Sequence, residues 1–211
     1  GTANAPSFLN GNTTYNKTTT GVGNNSQANS TLAFSSGKYY FEIKPTDSSP
    51  QIVGIDQVDG ISYDTNGNSI QSNGILYSST DGNKYVYSTS SSYGNTWTTN
   101  DVIGVAVDLD NNFIYFSKNG TWQNSGDPTS GATGTGGIQI TLTNRLYRFS
   151  IMNFSYNQTT QTNANFGNGY FGTTAVSSAQ NPDDGIGIFE YDVPAGYYAL
   201  CTKSINAQEY D

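Results

Sequence analysis

The sequence contains no histidine and only one cysteine, Cys201, among its 211 residues. Catalytic arrangements that pair serine or cysteine with histidine are therefore excluded. Structural zinc sites, which need several cysteine or histidine ligands, are excluded as well. No disulfide can form within the chain, and the apolar residues around Cys201 predict a buried, inert thiol.

Positive charge is also scarce, with 8 Lys and Arg residues against 16 Asp and Glu residues and a net charge of −8. The basic residues form no cluster, so the sequence does not favour nucleic acid as a partner. No apolar run approaches the ~20 residues that span a bilayer, so membrane insertion is not expected.

Glutamate occurs only at Glu42, Glu190 and Glu209. Glycosidases need two carboxylates held ~5–9.5 Å apart, and these three residues form no closely spaced pattern. Asp108 and Asp110 are the nearest approach to a carboxylate pair, but they lie at a predicted hairpin turn. The sequence therefore predicts no enzyme activity, no catalytic residue and no cofactor.

Two acidic loops raise the question of calcium, which prefers several carboxylate and carbonyl ligands from a flexible loop. Asp56, Asp59 and Asp64 lie in one of them, and Asp183 and Asp184 lie in the other. Their spacing matches no known calcium loop, so solvated acidic turns are favoured and no metal site is predicted.

Glycine, tyrosine and phenylalanine are abundant, at 24, 16 and 10 residues, among many Asn, Thr and Ser. Aromatic residues and threonine suit strands, whereas glycine and asparagine suit turns. The aromatic content of 13% and the charged fraction of 11% argue against disorder. The length fits a single all-β domain.

The clearest element is a hairpin in residues 101–120. An apolar, β-branched run at 102–107 predicts a strand that is apolar on both faces. Asp110 and Asn111 supply a turn, aromatic residues follow at 113–116, and Asn119-Gly120 marks a second turn. A lone hairpin is marginally stable in water, so the remaining chain must cover it.

Further strands are predicted before and after this hairpin. Residues 38–44 alternate, which predicts a strand with a buried face and a wet face that carries Tyr40 and Glu42. Asp81-Gly82 predicts a second hairpin. The other predicted strands are 51–55, 75–78, 84–88, 138–142, 147–153, 161–166 and 193–202. Many short strands with little helix predict an all-β, antiparallel two-sheet sandwich. Residues 1–31 are predicted to be edge strands or a linker packed on a domain of residues 32–211.

Five motifs in the right order resemble the SPRY domain family, which has a concanavalin A-like sandwich. They are Ser36-Gly37-Lys38-Tyr39-Tyr40-Phe41-Glu42-Ile43, Val53-Gly54-Ile55, Tyr93-Gly94-Asn95-Thr96-Trp97, the central hairpin, and Leu146-Tyr147-Arg148-Phe149 with Asn165-Phe166-Gly167. Phe41 stands where the family usually has tryptophan. The resemblance implies that Trp97 is structural and that the domain recognises a partner without catalysis. It also implies a core that includes Phe41, Val105, Val107, Phe113, Tyr115 and Phe149.

The amino-acid sequences of residues 118–136 and 193–210 resemble those of SPRY-containing structural proteins of tailed bacteriophages. This implies a virion surface protein, such as a tail fibre or spike, that recognises a host-envelope glycan or protein. Its other partners would be virion proteins, with a homo-oligomer in a fibre as one arrangement. The alternatives are a structural or decoration module without a receptor site, and an adhesion domain on a bacterial cell surface.

The loops at 56–73, 121–137 and 181–187 are long enough to form a recognition surface. From chemistry alone, Trp122 is the predicted stacking face, with Asn124 and Asp127 as hydrogen-bonding partners. Asp59 and Asp64 are second choices for ligand binding. The alternative for Trp122 is a plug that covers the end of the sandwich.

Overall fold

The computed structural model describes residues 6–17, 26–58, 73–153 and 158–210, and these are almost entirely strands and turns. They include seventeen strands and one α-helix. In chain order these are β1 (Ser7–Leu9), β2 (Thr14–Lys17), β3 (Ser26–Asn29), β4 (Lys38–Pro45), β5 (Gln51–Gln57), β6 (Gly74–Ser78), β7 (Asn83–Val86), β8 (Thr89–Ser92), β9 (Ile103–Asp108), β10 (Phe113–Lys118), β11 (Thr121–Trp122), β12 (Ile138–Gln139), β13 (Tyr147–Asn153), β14 (Thr160–Asn165), β15 (Tyr170–Phe171), β16 (Thr174–Ala175), β17 (Tyr198–Ala199) and α1 (Thr202–Tyr210).

The chain forms two compact units, and the first comprises Gly1–Ser35, Pro45–Asn100 and Asn144–Thr162. Its main sheet has the order β3-β13-β5-β6-β7-β8, with antiparallel neighbours. β1 and β2 form an antiparallel hairpin. The hairpin predicted at Asp81-Gly82 is confirmed, because β6 and β7 pair on either side of it.

The core of this first unit is aromatic. Trp97 is only 3% exposed, so its predicted structural role is confirmed. The ring of Tyr77 contacts both Trp97, at a centroid distance of 6.2 Å, and Tyr93, at 5.6 Å. Phe149 packs on Phe34 at 5.2 Å. These contacts give a loop-rich chain a defined interior.

The second unit comprises Ser36–Lys44, Asp101–Thr143 and Asn163–Asp211. Its strands follow the order β4, β9, β10, β11, while β12 pairs with β10. The neighbour of β4 on its other side is β14, which belongs to this unit from Asn163 onward. The central hairpin is confirmed, since β9 and β10 pair antiparallel from Phe113 opposite Asp108 to Lys118 opposite Ile103. β17 adds to the edge of β4 in parallel.

The predicted wet face of β4 is wrong. Tyr40 and Glu42 are both 0% exposed. Phe189, Tyr197 and Ala199 form a buried cluster with Tyr40, so the C-terminal part of the chain covers this face. Strand alternation records which residues are polar, but it cannot show that a segment some 150 residues later packs on them.

The C-terminal strand predicted at 193–202 is also mostly wrong. Only Tyr198 and Ala199 pair with β4, and α1 begins at Thr202. Tyr197 closes a turn by donating its backbone N–H to the carbonyl of Pro194, which keeps the preceding residues out of the sheet. Cys201 is partly exposed, contrary to prediction, because it directly precedes α1 and its Sγ accepts the N–H of Ser204 at 3.4 Å. In the described residues no helix has the length and apolar character to cross a membrane.

Burial confirms the predicted core at five of its six positions, which are Phe41, Val105, Val107, Tyr115 and Phe149. Phe113 is the exception and is half-buried. It begins β10 directly after the turn residue Asn112, which has a φ of 63°. Its ring lies over Gly134, where a Cβ atom would stand 2.2 Å from the ring. A strand end at a turn thus leaves one edge of Phe113 open.

Candidate functional site

A tight turn between β10 and β11 places Trp122. Asn119 accepts the N–H of Val102 on its Oδ1 at 2.8 Å and donates from Nδ2 to Asp101 at 2.8 Å. Gly120 has a φ of +79°, which glycine adopts without strain. The returning strand then pairs Trp122 with Ser117. The turn formed by Asn119-Gly120 therefore determines the position of the Trp122 indole.

Trp122 is half-buried, with its ring edge-on to Tyr40 at a centroid distance of 6.5 Å. It packs against the buried cluster that includes Tyr40, Tyr115 and Tyr197. Within the described chain, Trp122 Nε1 forms no hydrogen bond, and this atom is not buried. The side chain therefore combines an anchored body with a free hydrogen-bond donor, a combination common at interfaces.

The loop that follows Trp122 is held in shape by its own hydrogen bonds. Two 3-10 turns, Gln123–Ser125 and Gly131–Thr133, shape it, and Asp127 donates its N–H to the carbonyl of Thr135 at 2.9 Å. The buried Tyr197 hydroxyl donates to the carbonyl of Pro128 at 3.0 Å and ties the loop to the core. This loop can present side chains in a fixed arrangement.

The other two residues predicted from this loop, Asn124 and Asp127, are exposed. Asn124 adopts a φ of 54° and donates from Nδ2 to the carbonyl of Gly136 at 3.1 Å. Asp127 accepts on Oδ1 from the hydroxyl of Thr129 at 2.6 Å and from its N–H at 2.9 Å. These bonds hold the pKa of Asp127 below its usual value. Asn124 and Asp127 thus share one loop with Trp122, and both contribute to its shape.

The second-choice residues Asp59 and Asp64 lie outside the described residues, so their prediction stands as made. In the loop at 181–187, Asp183 accepts the N–H of Gly196, while Asp184 accepts the N–H of Ile186 and the hydroxyl of Ser204, each at 2.8 Å. Across the described part of the chain, no three Asp, Glu or Cys side chains cluster in a way that could hold a metal ion.

The sequence analysis did not predict that Glu42 is buried and hydrogen-bonded at the centre of this unit. Its carboxylate accepts hydrogen bonds from Tyr40 Oη at 3.0 Å, from the N–H groups of Glu190 at 2.9 Å and Tyr191 at 3.0 Å, and from Asn165 Nδ2 at 3.3 Å. Burial raises the pKa of Glu42 to about 7, although the four hydrogen bonds act to lower it.

A buried carboxylate with a raised pKa is often a catalytic group. Glu42 is 0% exposed, however, so a substrate has no access to it. Its four partners come from different parts of the chain, which points to a role in fastening residues 190 and 191 over β4. No local signal marks this role, because Glu190 lies 148 residues from Glu42.

Glu42 also positions Tyr191, which was not singled out by the sequence. The ring of Tyr191 lies against Gly120, where a Cβ atom would be only 2.6 Å from Tyr191 Cδ1. Tyr191 is half-buried, and its hydroxyl forms no hydrogen bond to any described residue. The pKa of Tyr191 is raised mainly by burial, and further by the negative charges of Glu190, Glu42 and Asp101. The hydroxyl therefore keeps its proton at neutral pH.

Comparisons with known proteins agree with this architecture. The family model of the SPRY domain matches residues 38–143, which are 106 of the 211 residues. No curated protein matches the chain. The crystal structure of the SPRY domain of human HERC1 is similar with a TM-score of 0.55 at 16% sequence identity, covering 75% of this chain and 91% of that chain. At this identity the likeness shows the fold alone, an all-β antiparallel sandwich of the kind predicted.

Proposed function

The chain belongs to the SPRY domain family, whose members are generally non-catalytic binding modules, and we propose that this domain recognises a partner without catalysis. The observation that carries the proposal is the combination of a shaped loop at 121–137 with the half-buried Trp122 at its start. An aromatic side chain that is already anchored loses little conformational entropy when a ligand stacks on it.

The finer proposal concerns the setting. The domain is part of a tailed-bacteriophage virion, in a tail fibre, spike or surface appendage, and it recognises a receptor on the host envelope. Its support is the resemblance of residues 118–136 and 193–210 to phage structural proteins. A chain low in charge, rich in Thr, Asn, Ser, Gly and Tyr and without disulfides also suits an exposed virion protein.

Adsorption of the isolated domain to bacterial cells tests this proposal. Trp122→Ala should fold yet bind roughly fivefold to hundredfold more weakly, if stacking on the indole resembles base stacking at ~1–3 kcal/mol. The isolated domain is needed because multivalent display on a fibre would mask part of the loss. Tyr170→Ala is a matched control, since Tyr170 is 48% exposed on a separate hairpin. Unchanged adsorption of Trp122→Ala would contradict the role of Trp122.

A structural or decoration module is the second candidate, and one observation favours it. Trp122 packs on the buried cluster around Tyr40, as a plug would. In that case Trp122→Ala should lower the melting temperature, and the wild-type domain should bind no cell surface. An adhesion domain of a bacterium is the third candidate. Gold-labelled antibody would then decorate bacterial cells in the absence of phage particles.

A further inference from the structure

Two aromatic side chains stand on the same face of the second unit. The registers place Glu42 opposite Gly104, Gly104 opposite Ser117, and Ser117 opposite Trp122, so these side-chain positions form one row across four strands. Tyr191 is bound through its N–H to the carboxylate of Glu42, and Trp122 packs on Tyr40, which donates to that same carboxylate.

The ring of Tyr191 also lies near the turn that leads into Trp122. Tyr191 lies against Gly120, and only Thr121 separates Gly120 from Trp122. The Cα atoms of Gly120 and Trp122 are thus at most about 7 Å apart. Because Gly120 has no side chain, the ring of Tyr191 can pack directly against its backbone.

Both rings are fixed in position, and both have an unused polar atom. Trp122 Nε1 and Tyr191 Oη form no hydrogen bond within the described residues. The acidic groups near them are already engaged. Asp101 accepts from Lys118 at 3.2 Å and from Asn119 at 2.8 Å, and Glu190 accepts from the hydroxyl and N–H of Ser177. The surface therefore offers two flat rings with free donors in negatively charged surroundings.

We infer that Trp122 and Tyr191 together form a stacking surface for a neutral, hydroxyl-rich glycan, an inference that rests on the proposed recognition function. Sugar rings present flat C–H faces to aromatic rings and hydroxyl oxygens to donors. An anionic polymer is disfavoured, because Asp101 and Glu190 are acidic and the nearby cation, Lys118, is paired with Asp101. A peptide that adds a strand would need a longer edge than β11, which consists of Thr121 and Trp122 alone.

The direct test is calorimetric titration of the purified domain with maltohexaose, cellohexaose and chitohexaose, with dextran sulfate as the anionic probe. We expect one or more neutral oligosaccharides to bind and dextran sulfate not to bind. Trp122→Ala and Tyr191→Ala should each weaken binding roughly fivefold to hundredfold. Tyr191→Phe keeps the ring but removes the hydroxyl, so it should lose less than Tyr191→Ala while folding normally. The control Tyr170→Ala should bind as the wild type does.

A second experiment separates this inference from the proposed function. Fluorescent domain is applied to a panel of bacterial strains before and after treatment with periodate, which cleaves sugar diols, or with protease. Loss of binding after periodate alone supports the inference. Loss after protease alone overturns the glycan inference and leaves recognition standing, whereas binding to no strain and to no oligosaccharide overturns both. Neutral-glycan binding that survives Tyr191→Ala and Tyr191→Phe overturns the role of Tyr191.

Discussion

At the scale of single residues, Phe41 shows how the core is filled where related domains usually carry tryptophan. Phe41 is 0% exposed and stacks on Phe166, with a centroid distance of 5.3 Å and an interplanar angle of 8°. Two nearly parallel phenyl rings therefore fill this part of the core.

Phe41→Ala should therefore lower the free energy of unfolding by about 3–5 kcal/mol, because it leaves a cavity beside Phe166. Urea denaturation followed by tryptophan fluorescence measures the change. Phe113→Ala provides the comparison, since Phe113 is half-buried at a strand end and its loss should cost less. A Phe41→Ala variant with the same denaturation midpoint as the wild type would show that this ring does not stabilise the fold.

At the scale of elements, the segment that covers β4 depends on one titrating group. Glu42 binds the N–H groups of Glu190 and Tyr191, and it is fully buried. Burial raises its pKa from 4.5 to about 7. The folded protein therefore retains a proton at Glu42 in a pH range where the unfolded chain has lost it.

The contribution of Glu42 to stability should be complete below about pH 4.5, fall as the pH rises, and be lost above about pH 7. At about 1.4 kcal/mol per pKa unit, the difference is on the order of 3 kcal/mol. Few other side chains change charge between pH 5 and 8, because the chain has no histidine. Unfolding free energies at pH 5 and pH 8 should differ more in the wild type than in Glu42→Gln.

The Gln variant is expected to be less stable at both pH values, because its amide nitrogen would face backbone donors. The comparison therefore uses the dependence on pH and not the absolute stability. NMR titration of the Glu42 carboxyl carbon measures the pKa directly. A value near 4.5 would mean that the four hydrogen bonds fully offset the effect of burial, and it would contradict the predicted dependence of stability on pH.

The elements also show where sequence reasoning succeeds and where it stops. Strands β9 and β10 were predicted because β-branched and aromatic runs flank a turn signal at Asp110, all within twenty residues. The burial of Glu42 and the position of Tyr191 were not predicted, because both depend on contacts between residues about 150 positions apart. Trp122 lies between these cases. The turn that precedes Trp122 could be predicted from Asn119-Gly120, but the packing of its ring on Tyr40 could be seen only in the structure.

At the scale of the whole molecule, many acidic side chains of the described residues accept hydrogen bonds from backbone N–H groups of the same chain. Asp108 is 1% exposed, forms an ion pair with Lys38 at 3.0 Å and binds Asn111 at 2.8 Å. Asp110 accepts the N–H of Gly37 at 2.8 Å. Asp108 and Asp110, the carboxylate pair considered in the sequence, therefore close a hairpin, and the two residues differ sharply in exposure.

This arrangement leads to the last prediction, that the purified domain hydrolyses no glycosidic bond. A glycosidase needs two carboxyl groups facing one bond, one of them able to hold a proton near neutral pH. Glu42 has the raised pKa but is sealed from solvent, whereas Asp110 and Asp127 are exposed, and bonds to Thr129 hold the pKa of Asp127 below its usual value. Incubation with maltohexaose, cellohexaose, chitohexaose and purified bacterial polysaccharide should release no new reducing ends above a heat-denatured control. Release that disappears in Asp110→Asn or Asp127→Asn, while both variants keep the wild-type melting temperature, would show that an exposed carboxylate does catalyse and that the domain is an enzyme.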